Sequence, residues 1–169
     1  MSSTGPAPRH ESPAGAISGS GPASFAARYL NVYRLAAYVL ILNTIGHTLG
    51  ALVQTPQFGP ESDTVVSMMK AVHLDAGGAV CTWYGFYLGF GSIASVFLLL
   101  LAFLAWDLGG KTASERRACA PLAWALFLAS AGNAVITWLL FFPVAQIFAT
   151  LVAVLLGVGC MRDWKAGRV

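Results

Sequence analysis

The sequence predicts an all-α integral membrane protein, a four-helix bundle with both termini in the cytoplasm. Three observations predict it: a chain too poor in charge for water, four apolar segments of membrane-spanning length, and basic residues gathered on one side of those segments. Of 169 residues, 57% are hydrophobic and 10% charged, and mean hydropathy is +0.69. Soluble domains carry about 25% charged residues, so this chain cannot clothe a water-facing surface. The net charge of +3 is small and no Lys/Arg-rich run occurs, which leaves nucleic-acid binding without support.

Residues 1–27 are built from Ser, Gly, Pro and Ala with almost no bulky apolar side chain. Such an arm cannot bury enough surface to offset the entropy of ordering, and it is predicted to be disordered. It also lacks the apolar core of a cleavable signal peptide. The first membrane helix is therefore expected to stay as an uncleaved anchor.

Residues 28–169 form the predicted transmembrane domain, with spans at about 35–53, 83–106, 121–142 and 143–161. At 1.5 Å per residue, roughly 19 to 24 residues match a hydrocarbon core of about 30 Å. Backbone groups in lipid must bond internally, so these segments read as helices. The third and fourth abut at Phe142-Pro143. Proline cannot continue a helix there but suits the first turn of the next, which predicts a tight hairpin. With these limits all five tryptophans fall near an interface: Trp83 and Trp138 at one, Trp106, Trp124 and Trp164 at the other. That is the expected aromatic belt.

Orientation follows from the basic residues. Arg9, Arg28, Arg34, Lys111, Arg116, Arg117, Arg162, Lys165 and Arg168 lie on one side and only Lys70 on the other, nine against one of the ten. Positive residues stay in the cytoplasm, which predicts both termini inside and the loop Gln54–Thr82 outside. In that loop Val65, Met68, Met69 and Val72 recur at helical spacing after Ser62 and Asp63. A short amphipathic external helix, on the membrane or over the bundle mouth, is predicted there.

Candidate functional residues are the polar ones inside the spans. Asn43, Gly46, His47, Gly50 and Gln54 share one helical stripe, Asn133 and Thr137 another, and Gln146 and Thr150 a third. Helical rise places His47, Asn133 and Thr150 at a similar depth, with Thr137 and Gln146 above them and His73 and Asp75 closing the mouth. Two readings compete for this cluster. Asn, Thr, Gln and His can simply link helices by hydrogen bonds worth about 0.6 kcal/mol each. Alternatively, a pocket around His47 takes a lipid-like or quinone-like molecule, with or without redox chemistry. Haem b held by His47 and His73 is disfavoured, because His73 lies in a loop and axial imidazoles must face each other across the macrocycle. No cofactor or metal is predicted, since Cys81, Cys119, Cys160 and the histidines lack ligand spacing. No nucleophile elbow or zinc-protease pattern occurs, so the balance falls on a non-enzymatic role.

Gly46 and Gly50 form one GxxxG pair and Gly85 and Gly89 another, the second extended by Gly91, Ser92 and Ser95. Small residues at this spacing let helices approach closely in lipid. Packing inside the bundle is the preferred expectation, with a second copy or another membrane protein as the alternative partner.

The stretches GHTLGAL (Gly46 to Leu52) and WYGFYLGFGSIASVFLLLLAFLAW (Trp83 to Trp106) resemble a group of small hypothetical bacterial membrane proteins. The likeness covers roughly the first two helices and their loop. It implies four helices and a bacterial inner membrane, and it implies no activity.

Overall fold

The computed structural model describes residues 31–53 and 59–166. The arm 1–27, Gln54 and Arg168 lie outside the described residues, as do the expectations that rest on them. The described chain is almost wholly helical. Helix α1 (Val32–His47) runs on into wider π-type turns over Thr48–Val53. Helix α2 (Pro60–Ala71), strands β1 (His73–Ala76) and β2 (Ala79–Thr82), and helix α3 (Trp83–Gly110) follow. The short α4 (Ala113–Ala118) leads to the hairpin of α5 (Ala120–Leu140) and α6 (Pro143–Ala166).

Local chemistry explains most of these limits. The Asn31 side chain caps α1 by accepting from the Arg34 amide at 3.0 Å, and Thr82 caps α3 by accepting from the Gly85 amide at 3.0 Å. Thr112 and Glu115 form a reciprocal capping box at α4. Proline stands in the first turn of α5 and opens α6, so the expected Pro143 hairpin is present.

Helix α2 occupies the position expected from the Val/Met spacing, but it starts at Pro60 behind Gly59 rather than at Ser62. Its half-buried residues are Ser62, Val66 and Met69, whereas Val65, Met68 and Val72 point outward. The β-hairpin after it was not expected from the sequence. Gly77 and Gly78 both take positive φ, 64° and 89°, the geometry of a two-residue turn whose twist suits antiparallel strands. Leu74 then pairs with Cys81 and Asp75 with Val80. The Gly-Gly turn carried that signal, and the helical spacing just before it obscured it.

Packing sets the four long helices side by side. Helix α1 lies between α3 and α6, and α5 packs on α6, while α3 and α5 barely meet. The core joins Tyr33, Ala36, Ala37 and Leu40 of α1 to Ala102, Ala105 and Leu108 of α3 and to Val152, Leu156 and Cys160 of α6. Alanine at so many of these positions lets backbones approach closely, the packing that lipid favours.

Three helices, α3, α5 and α6, are long and apolar enough to cross a membrane, with mean hydropathies of 2.4, 1.6 and 2.2. Their apolar side chains mostly face outward: Leu139 is 76% exposed, Val96 and Phe103 65%. An apolar surface of that extent is what lipid, rather than water, covers. Helix α1 differs from the single span expected over 35–53. It is α-helical for 16 residues and continues as six of π type. The change of winding begins at Thr48, where side chains of this segment bond across to α3.

Candidate functional site

Among the polar contacts that join the long helices, two gather several side chains, and neither is the cluster expected from helical spacing. The first is the crossing of α1 and α3. His47 is half-buried, and its Nε2 stands 3.1 Å from the Gly91 carbonyl. A carbonyl only accepts, so Nε2 carries the ring proton and donates it. Thr48 Oγ1 lies 3.0 Å from Ser95 Oγ, which itself donates to the Gly91 carbonyl at 3.3 Å. With the Ser95 proton spent on Gly91, Thr48 is the donor to Ser95. One carbonyl thus gathers an imidazole and a hydroxyl from two helices.

Glycine leaves room for a side chain of α1 at the centre of this crossing. A Cβ at Gly91 would come within 2.6 Å of a Leu52 methyl and 3.9 Å of His47 Nε2. The extension of the second small-residue surface, Gly91 to Ser95, is therefore where the helices meet. The expected intrachain packing of Gly46, Gly50 and Gly89 does not occur: among the described residues nothing stands within 4 Å of a Cβ built at any of them. Gly85 meets only its own helix cap, Thr82. All four of these glycines are exposed.

The remaining expected cluster residues are dispersed. Asn133 is exposed on α5, and α1 and α5 make no extensive contact, so His47 and Asn133 are not brought together. Helix α6 lies between them, which equal depth along separate helices cannot reveal. Thr137 is buried and donates to the Asn133 carbonyl at 2.7 Å within its own helix. Thr150 donates to the Gln146 carbonyl at 2.7 Å and accepts from Trp138 Nε1 at 2.9 Å. The Gln146 amide turns back to the Phe141 carbonyl, 2.8 Å away, and closes the α5–α6 turn. Asn43 is half-buried on α1. His73 and Asp75 are both exposed on β1, and His73 Nδ1 lies 3.0 Å from the Ala71 carbonyl. His73 therefore belongs to the hairpin, apart from the His47 crossing.

The second site was missed by sequence reasoning. At the end of the molecule where α1 begins and α6 ends, Tyr33 donates its hydroxyl to Asp163 at 2.9 Å. Arg116 of α4 places Nε 3.1 Å from both Asp163 carboxylate oxygens and donates Nη1 to the Lys111 carbonyl at 2.6 Å. Asp163 thus ties the first long helix, the short α4 and the last helix in one knot. Alongside, Arg34 is 8% exposed and stacks its guanidinium 4.6 Å from the centre of the Trp106 ring, a cation–π contact. The only sequence signal for this knot is a lone acid, Asp163, set among Arg162, Lys165 and Arg168.

Beside the knot is a half-open cavity of about 290 Å³, lined by Tyr33, Arg116, Arg117, Ala120, Ala123, Trp124, Cys160, Asp163 and Trp164. A neighbouring recess of about 250 Å³ is lined by Trp124, Met161, Trp164 and Lys165. The described cysteines, Cys81, Cys119 and Cys160, are free thiols, and no group of three or more His, Cys, Asp and Glu among the described residues is placed to hold a metal ion.

Electrostatics at this end are those of a charged aqueous edge. Hydrogen bonds from the Thr112 amide and then its hydroxyl hold the Glu115 carboxyl below its usual value. The Asp107 carboxylate, 2.9 Å away, raises the Lys111 ammonium. No model of a known protein family matches the chain, and no curated protein or solved structure matches it either.

Proposed function

We propose that the chain is a four-span protein of the bacterial inner membrane, with both termini in the cytoplasm, serving as a non-enzymatic membrane component. The observation that carries this reading is the use made of polar groups within the helices. His47, Thr48 and Ser95 are spent on one another and on a single carbonyl. In a hydrocarbon setting such bonds act as links between helices.

Helix α1 with its π turns supplies the fourth span beside α3, α5 and α6, covering 32–53. Helix α2 is the external helix, its outward Val65, Met68 and Val72 resting in the membrane interface. The nine-to-one basic split supports the orientation. The open faces at Gly46, Gly50 and Gly89 and the exposed Asn133 are where a second copy or another membrane protein would touch.

A lipid-like or quinone-like ligand at His47, with or without redox chemistry, is the weaker reading. The imidazole is already engaged through Nε2, which leaves a ligand only Nδ1. Absorbance of the purified protein together with mass spectrometry of co-purified lipids and quinones separates the two readings. The topology is tested by reporter fusions. Fusions after Gly110 and Val169 should report cytoplasm and one near Gln57 the exterior; an active periplasmic reporter after Val169 would overturn the model.

A further inference from the structure

We propose that the groove on either side of Trp124 and Trp164 is a binding site for an anionic phospholipid, its apolar body against the indoles and its phosphate between Arg117 and Lys165. The inference rests on the membrane reading above.

The two recesses share Trp124 and Trp164 in their lining, and together they draw on residues of α1, α4, α5 and α6. Ala120, Ala123, Met161 and the two indoles supply apolar lining. Tryptophan favours the level where acyl chains give way to headgroups. A groove that is apolar at that depth takes the upper part of a lipid chain.

Charge selects the headgroup. Asp163 is the one acid in the lining, and it is already neutralised by Arg116 and bonded by Tyr33. Three cations, Arg116, Arg117 and Lys165, against one carboxylate leave the rim at +2. Arg117 and Lys165 are exposed, and neither has an ion-pair partner among the described residues. A zwitterionic lipid would bring its own cation to this rim and gain nothing there. A phosphatidylglycerol-type lipid brings an uncompensated phosphate, the charge that basic groups at a membrane edge attract.

The test uses the full-length protein in detergent, titrated with brominated-chain phosphatidylglycerol and with brominated-chain phosphatidylcholine, reading tryptophan quenching. Phosphatidylglycerol should quench at the lower mole fraction, and Trp124→Phe combined with Trp164→Phe should remove that headgroup-selective part. Arg117→Gln and Lys165→Gln should each cut the preference about fivefold, the factor expected for one basic group at a charged interface. Arg117→Lys should retain most of it. Equal quenching by the two lipids, or an unchanged preference in the double variant, would overturn the site while leaving the membrane reading intact. Displacement of phosphatidylglycerol by millimolar inorganic phosphate would assign the rim to a free anion and overturn the lipid assignment. Quenching by neither lipid would sink the membrane reading itself.

Discussion

Tyr33, at the start of the first long helix, donates its hydroxyl to Asp163, near the end of the last, at 2.9 Å. The bond spans 130 residues of sequence and joins α1 to its neighbour α6 beside core residues of both helices. Arg116 meets the same carboxylate from a third element, so a single acid sets the relative position of three helices at one end of the molecule.

Removing one arm of this knot should cost less than removing the other. Tyr33→Phe keeps the ring in the core and loses one hydrogen bond to a charged acceptor, worth about 1.5 kcal/mol. Arg116→Gln takes away the cation and its bond to the Lys111 carbonyl, and leaves Asp163 with only the tyrosine. A larger loss, roughly 2–3 kcal/mol, is expected. Thermal unfolding in detergent of the two single variants and the double variant gives the coupling. Additive losses would show that the two arms act independently.

His47→Leu should lower stability by about 1 kcal/mol, the worth of an interhelical hydrogen bond in a membrane protein. Ser95→Ala in the same background should cost a similar amount again, because it removes the Thr48–Ser95 bond between the same two helices. A collapse of folding on His47→Leu would mark the imidazole as more than a link between helices. Loss of a co-purifying small molecule with the fold intact would favour the ligand reading instead.

Glycine substitutions should divide sharply by position. A Cβ at Gly159 would stand 2.7 Å from the Tyr33 ring, so Gly159→Ala should destabilise by roughly 1–3 kcal/mol through overpacking. At Gly132, inside α5, nothing among the described residues lies within 4 Å of the added atom. There the gain in helix propensity, about 0.5–1 kcal/mol, should win. Opposite shifts in unfolding midpoint are the expected result, and equal losses would place an unrecognised partner against Gly132.

The α4 capping box should respond to acid. Glu115 is held below its ordinary value by the Thr112 amide and hydroxyl. A carboxyl depressed in the folded state contributes its stability above the ordinary carboxylate range and loses it as pH falls through the lowered value. Amide exchange across 113–118 should therefore quicken only in acid, below the ordinary glutamate range. Glu115→Gln should fray the turn at neutral pH and flatten that dependence. Unchanged acid-dependent exchange in the variant would assign the effect to another group.

The membrane character, the helix positions and the Phe142-Pro143 break were legible in the sequence, because each depends on neighbours along the chain. Apolar run length requires a helix in lipid, proline punctuates it, and the Val/Met spacing marks α2. The arrangement across helices was not legible. The sequence placed His47, Asn133 and Thr150 at one depth, but only tertiary structure decides which helix faces which. It set α6 between α1 and α5, gave His47 to the Gly91 carbonyl and left Asn133 on the outside. Likewise the GxxxG spacing announced small faces without saying which would be used; the close approach came at Gly91, Gly109, Gly157 and Gly159. The Tyr33–Asp163–Arg116 knot belongs wholly to the tertiary structure, since three residues so distant in sequence become neighbours only once the helices are in order. Local preference acts within about a turn, whereas helix order is a balance of many weak packing terms, and that balance exists only in the folded chain.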